Sequence, residues 1–192
     1  MSARLAARRR PLALACLGAL AVGVSACGRT GHPSSAENNG VYVDGGPITY
    51  QLQVSRELNQ YSTEDAQYVA GLPAGTSATL SPDQIWYGVF LWGKNQTRRP
   101  QTTTGNFDIV DTQGDHYSPV ALNPAANPYA WTPQRLAPGG VEPGPDTAAS
   151  FGPTQGGLLL FRLPTTVYDN RPLQLEIRGP AGQLWARISL DL

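Results

Sequence analysis

Hydrolysis by a nucleophile or by a bound metal usually depends on histidine, and this chain of 192 residues has two, His32 and His116. A Ser-His-Asp arrangement would have to use His116, but the sequence has no G-x-S-x-G motif to present the serine. It also has no H-x-x-x-H or C-x-x-C pair, the spacings that bring two metal ligands together. We therefore predict no catalytic residue and no metal site.

Acidic residues offer the other route to chemistry. Asp108, Asp111 and Asp115 lie close in sequence and could supply oxygen ligands to calcium, but their spacing does not match an EF-hand loop. A turn rich in aspartate explains the cluster instead. Glu64 and Asp65 are adjacent, so on a helix they point in different directions, and we interpret them as favourable first-turn charges. No cofactor is expected.

The first 27 residues have the layout of a secretory signal. A basic stretch is followed by an apolar run over residues 11–22 and by a small-residue site that ends at Cys27. The apolar run has 12 residues, whereas a helix needs about 20 to cross a bilayer core. A cleaved signal is therefore favoured over a permanent transmembrane helix.

The residues VSAC at 24–27 resemble the bacterial lipobox, in which an aliphatic and two small residues precede a cysteine. The resemblance implies cleavage between Ala26 and Cys27, removal of residues 1–26, and a diacylglyceryl group with palmitate-type chains on Cys27. Two acyl chains hold a protein durably on a membrane, whereas one holds it only marginally. We expect a lipid anchor on the extracytoplasmic face of the cell membrane. The alternative is a secreted protein in which Cys27 is incidental.

The charge balance argues against nucleic-acid binding. The whole chain has 14 basic and 14 acidic residues, and removal of residues 1–26 takes four arginines away. The remaining ten basic residues form no run of the kind that binds a phosphate backbone. Cys27 is then the sole cysteine, so the exported part has no disulfide and must be stable through apolar burial.

Short strands dominate the pattern after residue 46. Ile48, Tyr50, Leu52 and Val54 alternate with polar residues, which predicts a half-buried strand. The run QIWYGVFLWGKNQT is apolar on both faces, and a hairpin is predicted around residues 112–115. GGLLLFRL, LQLEIRG and QLWARISLDL predict three further strands, while STEDAQYVAG predicts a short capped helix. About seven strands and one helix favour an all-β, antiparallel β-sandwich.

The runs NPYAWTPQRLAPGG, LLLFRLP and NRPLQLEI are similar to those of actinobacterial lipoproteins whose extracytoplasmic domain is immunoglobulin-like. The resemblance covers residues 47–192 and implies an immunoglobulin-like sandwich over that range. Residues 27–46, rich in Gly, Ser and Asn, are predicted to be the lipidated cysteine and a flexible tether. The resemblance carries no activity with it, so it implies fold and location alone.

One long segment does not fit the strand pattern. Residues 119–155, hereafter the crossover, are 37 residues with eight prolines and no clear strand. Loops of this length are usually functional or disordered, and Tyr129, Trp131 and Phe151 argue against disorder. We expect an ordered strap across one end or edge of the sandwich. Its rings either plug the core and cover an edge strand, or together with Tyr117 form a surface that contacts a partner.

The function expected from these features is that of a lipid-anchored, non-catalytic binding or assembly module. Its contacts would be the membrane, through the lipid, and a possible protein partner at the cell surface. A cell-envelope enzyme that uses carboxylates is one alternative, and it requires two acidic side chains in one cleft with one raised pKa. A carrier of an apolar ligand is another, and it requires a pocket of about 300 Å³ or more between the sheets.

Overall fold

A computed structural model of the chain describes residues 31–192. The predicted signal segment 1–26 and the lipidation site Cys27 lie outside this range. The described part contains helix α1 (Thr63–Ala66), helix α2 (Ala148–Phe151) and a 3-10 helix over Thr165–Tyr168. No helix within it is long and apolar enough to cross a membrane. The strands, numbered in chain order, are β1 (Ser35–Ala36), β2 (Tyr42–Gly45), β3 (Ile48–Leu58), β4 (Gln84–Asn95), β5 (Gln101–Thr102), β6 (Asn106–Val110), β7 (His116–Tyr117), β8 (Arg135–Leu136), β9 (Val141–Glu142), β10 (Gly157–Pro164), β11 (Leu173–Arg178) and β12 (Leu184–Leu190).

The longer strands form two sheets. The first sheet has the order β1-β12-β11-β6-β7, and the second has the order β10-β4-β3-β2 with β9 also beside β4. The strands β5 and β8 pair separately. Pairing is antiparallel except between β1 and β12. The predicted all-β sandwich is confirmed, with seven strands of four or more residues and five further strands of two residues.

The strand β4 is buried on both faces, as its sequence predicts. Its Tyr87 and Val89 point between the sheets into the inter-sheet core, where Tyr50, Phe107 and other apolar side chains meet them. On its opposite face, the outer surface of the second sheet, Trp86 and other residues form a second buried group, the outer cluster. The buried members of the outer cluster are Leu58, Tyr68, Val69, Leu80, Trp86, Phe90, Leu158 and Leu160.

A β-bulge in β3 changes which face its apolar residues occupy. The alternation predicts Ile48, Tyr50, Leu52 and Val54 on one face. The first three lie in the inter-sheet core, but Val54 packs against the outer cluster. The register against β4 shifts between Leu52 and Val54 because Gln53 is an extra residue in the strand. The prediction for Val54 was therefore wrong.

The predicted helix is present as α1 and is shorter than the pattern suggests. The Ser62 hydroxyl accepts a hydrogen bond from the Glu64 backbone N–H at 3.2 Å, which caps the first turn. The helix ends at Ala66 rather than continuing towards Gly71. Asp65 does more than favour the helix dipole, because its buried carboxylate accepts a hydrogen bond from Arg56 at 3.0 Å. This hydrogen bond lowers the pKa of Asp65.

The folded domain begins earlier than predicted. The strands β1 and β2 lie within residues 27–46, where the sequence predicts a tether. Ala36 and Val43 are buried in the inter-sheet core, and the backbone N–H of Asp44 donates to the Pro33 carbonyl at 2.9 Å. Small and polar residues dominate this segment, so its composition predicts a tether. Its few apolar side chains, Ala36 and Val43, nevertheless hold it against the core.

The crossover lies along the free edge of β10, as an ordered strap. Val120 N–H donates to the Leu160 carbonyl at 2.7 Å, and Trp131 N–H donates to the Leu158 carbonyl at 2.9 Å. Leu158 N–H in turn donates to the Tyr129 carbonyl at 2.7 Å. These bonds satisfy backbone groups that an edge strand would otherwise expose. The crossover also contains β8, β9 and α2, which the sequence did not indicate.

Trp131 attaches the crossover to the inter-sheet core. Its ring centroid lies 5.8 Å from that of Phe107 and 6.1 Å from that of Tyr50. Its Nε1 donates to the Thr104 carbonyl at 2.9 Å. Gly157 makes room for the ring, since a Cβ there would lie 2.9 Å from Trp131 Cε3. The side chain therefore acts as a plug.

We expect Trp131→Ala to lower the free energy of unfolding by about 3 kcal/mol, because the ring contacts and the Thr104 hydrogen bond are lost together. Chemical denaturation of the variant measures this. Phe151→Ala is the matched control in the same segment. Phe151 is 74% exposed, so its replacement should change stability by less than about 0.5 kcal/mol. Equal stability of the two variants would contradict the plug.

Candidate binding site

The predicted partner-contact residues do not form one exposed surface. The four residues are Tyr117, Tyr129, Trp131 and Phe151. Tyr117 donates a hydrogen bond to Asp111, and Tyr129 donates to Gln67 at 2.8 Å while packing on the outer cluster. Trp131 packs on the inter-sheet core, which leaves Phe151 as the exposed ring of the four.

The outer face of the second sheet carries a different set of aromatic and amide side chains. Tyr42, Gln51 and Trp92 lie opposite one another on the neighbouring strands β2, β3 and β4. The rings of Tyr42 and Trp92 make an edge contact, with centroids 5.9 Å apart and planes at 65°. Tyr42 is 42% exposed. The outer cluster does not include these side chains, so this part of the sheet forms a floor that is open to solvent.

The crossover forms a wall beside this floor. Together they enclose a groove of about 340 Å³, which we call the outer groove. Its lining residues are Tyr42, Gln51, Gln53, Trp92, Val141, Pro143, Pro145, Ser150 and Gln155. None of these nine side chains is ionisable near neutral pH. The groove is therefore neutral, with apolar and amide surface side by side.

The amides on the floor are held in place by hydrogen bonds. Gln51 Nε2 donates to the Gly40 carbonyl at 2.6 Å, and Gln53 Nε2 donates to Gln51 Oε1 at 2.7 Å. Other polar groups are available: within residues 31–192 the Gln155 side-chain amide and Trp92 Nε1 have no hydrogen-bond partner. The groove thus combines fixed amides with donors and acceptors that a ligand can use.

The wall contains two strained backbone positions. Asp146 and Gln155 have φ of 69° and 49°, a region that residues other than glycine rarely occupy. Between them, α2 is fixed by a capping box, in which the Ser150 hydroxyl accepts from Thr147 N–H at 3.2 Å. Such strain persists where the surrounding structure enforces it, and it concentrates at functional sites.

A second cleft lies on the other side of β9. Val141 faces the outer groove, whereas Glu142 lines a smaller cleft of about 170 Å³ beside Trp131. Glu142 is 3% exposed, and its Oε2 has no hydrogen-bond partner among the described residues. Burial raises the pKa of Glu142 to about 7, although polar groups of Thr103, Thr132 and Gln134 act in the opposite direction.

Glu142 was missed by the sequence analysis. It is a single acidic residue in a run of proline and glycine, which does not distinguish a buried carboxyl from a solvated one. It is the one acidic residue among those that line this cleft. The pair of carboxylates that the enzyme alternative requires is not brought together here.

The aspartate cluster forms a turn, as predicted. Asp111 Oδ1 accepts from the N–H groups of Gln113 and Asp115 at 2.9 and 3.0 Å, and Gly114 has φ of 87°. Burial alone would raise the pKa of Asp111, but these bonds and others, one of them from the Asn170 amide, outweigh it and lower the pKa. The described residues contain no group of three or more His, Cys, Asp or Glu that could hold a metal.

The outer face of the first sheet is charged and self-paired, unlike the outer groove. Glu176 is buried and accepts from Arg187 at 2.9 Å, and it also pairs with Arg178. Asp108 lies 3.5 Å from Arg178 and 3.8 Å from the half-exposed His116 ring. The acidic side chains of this face are therefore paired with basic side chains of the same sheet.

We expect the buried Glu142 carboxyl to make the domain less stable as pH rises. An unfolded glutamate ionises near pH 4.5, whereas the folded one keeps its proton up to about pH 7. The free energy of unfolding should therefore fall between these pH values by up to about 3 kcal/mol. The glutamine side chain in Glu142→Gln cannot ionise, so this variant should not show the fall. The free energy of unfolding of the variant minus that of the wild type should therefore increase from about pH 4.5 to about pH 7.

Denaturation curves at several pH values test this prediction. Phe151→Ala, which changes an exposed residue without an ionisable group in the same segment, is the control and should keep the pH dependence of the wild type. A Glu142→Gln variant with the same pH dependence as the wild type would show that this carboxyl does not titrate as described.

The comparisons with known proteins leave the ligand open. No family model matches the chain, and no curated protein matches it. Among solved structures, the chain is similar to the yjhA protein from Bacillus subtilis, with 10% sequence identity and a TM-score of 0.49. The match covers 83% of this chain and 100% of that chain. A similarity at this level implies nothing about activity.

Proposed function

We propose that the protein is a lipid-anchored module on the extracytoplasmic face of the cell membrane that binds a partner through the outer groove without catalysis. The signal-like segment 1–26 and the lipobox-like residues ending at Cys27 support the location. The outer groove supports the role, and it is the observation that carries the proposal.

Two features of the outer groove favour binding. Its floor exposes aromatic rings, which contribute much of the energy at binding surfaces. Strand pairing and the capping box of α2 fix the floor and the wall before a ligand binds. Binding therefore costs little conformational entropy in the protein.

The chemistry of the groove also favours binding over catalysis. No His, Asp, Glu, Lys or Cys lines it, and these residues supply most general acids and bases. His116 lies on β7 of the first sheet, and Glu142 faces away from the groove into a cleft without a second acid. The carrier alternative gains no support, because large side chains such as Tyr50, Tyr87 and Phe161 fill the space between the sheets.

The anchor is tested by detergent phase partitioning. The wild-type chain should enter the detergent phase, because two acyl chains give durable attachment. The variant Cys27→Ala should stay in the aqueous phase if it is cleaved; otherwise its mass should show that residues 1–26 are still attached. Globomycin, which blocks lipoprotein signal cleavage, should leave residues 1–26 attached. Unchanged signal cleavage under globomycin, together with an unmodified Cys27 thiol by mass spectrometry, would contradict the proposed lipid anchor.

Binding is tested by cosedimentation of the purified chain with cell envelopes from which lipid has been extracted with detergent. We expect saturable binding that Trp92→Ala weakens by at least about tenfold, because the substitution removes the larger of the two aromatic rings on the floor. Tyr61→Ala is the matched control, since Tyr61 is 79% exposed and does not line the groove. Equal binding by both variants would place the contact surface elsewhere.

A further inference from the structure

We propose that the outer groove binds a neutral glycan chain. This inference rests on the proposed function and deepens it by naming the chemical class of the ligand.

The aromatic floor suits the apolar faces of sugar rings. A pyranose ring presents patches of C–H groups, and such patches pack on aromatic surfaces with a gain from excluded water. Tyr42 and Trp92 present two rings at an angle of 65° with centroids 5.9 Å apart. Two rings set at an angle fit successive units of a chain that twists from one sugar to the next.

The amides suit the hydroxyl edges of sugars. Each sugar hydroxyl both donates and accepts, and a glutamine side chain offers a carbonyl oxygen and an NH₂ group side by side. Gln51, Gln53 and Gln155 place three such groups around the aromatic floor. The hydrogen bonds that hold Gln51 and Gln53 fix their amide orientation before a ligand arrives.

The charge of the lining sets the class of glycan. An anionic polysaccharide would need basic side chains, and the nine lining residues include no Lys or Arg. A cationic ligand would need a carboxylate, and the one on β9, Glu142, faces away from the groove. The ligand that matches this lining is uncharged and polyhydroxylated.

A peptide that adds to the sheet as a further strand is a poorer match for this surface. Peptides that join a sheet do so through the free backbone groups of an edge strand. The floor of the outer groove is instead a face of the sheet, where Gln51 of β3 is paired on both sides by β2 and β4. The backbone groups there are already used, so recognition has to go through side chains.

Isothermal titration of the purified full chain with linear neutral oligosaccharides, built from glucose, mannose or galactose, tests the inference. At least one series should bind, with affinity that rises with chain length up to the length of the groove. Trp92→Ala and Tyr42→Ala should each weaken binding by at least about tenfold. Tyr61→Ala should bind as the wild type does, and thermal unfolding of each variant confirms that it is folded.

Salt dependence separates a neutral from a charged ligand. Binding should change by less than about twofold when the ionic strength rises from about 0.05 to about 0.5 M, because no charge pair is made. Binding of dextran sulfate in preference to every neutral oligosaccharide, with loss at high salt, would overturn the inference.

The envelope assay separates failure of the inference from failure of the proposed function. If no neutral oligosaccharide binds while Trp92-dependent envelope binding persists and is abolished by protease treatment of the envelopes, the occupant is a protein. The proposed binding function is then retained, and the inference that the ligand is a glycan is rejected. If Trp92→Ala changes neither oligosaccharide binding nor envelope binding, the outer groove is not the binding site and both proposals are rejected.

Discussion

The fold depends on one constraint: β4 is apolar on both faces, so both faces of the second sheet must be covered. The first sheet covers the inner face and closes the inter-sheet core. The outer face receives Tyr68 and Leu80 from the chain around and after α1, and Leu122 and Tyr129 from the crossover. Covering by short segments is incomplete, and the outer groove is the part of that face that remains uncovered.

The bulge at Gln53 links the core to the groove. Before it, the even-numbered residues of β3 point into the core, and Gln51 points outward onto the groove floor. After it, Val54 and Leu58 point outward and join the outer cluster. One inserted residue therefore places apolar side chains of β3 in the covered part of the outer face and its two glutamines in the open part.

Much of the fold follows from patterns that the sequence displays locally. The strand β4 and the turn around Gly114 are predictable because alternation and turn chemistry are short-range properties. The outer groove is not, since Tyr42, Gln51 and Trp92 meet only through strand register, and Gln155 joins them from the far end of the crossover. Glu142 was missed for the same reason, because its burial depends on Trp131 and the crossover rather than on its neighbours in sequence.

If Cys27 carries the proposed lipid, the early start of the folded domain limits its distance from the bilayer. A tether ending at residue 46 would allow a reach of about 70 Å from Cys27, whereas pairing that begins at Ser35 restricts it to about 28 Å. His32 already packs against Tyr42, with ring centroids 5.5 Å apart. His32 then lies within about 18 Å of the membrane surface, with the groove residue Tyr42 directly beside it. The domain would then meet material lying against the bilayer rather than structures farther out.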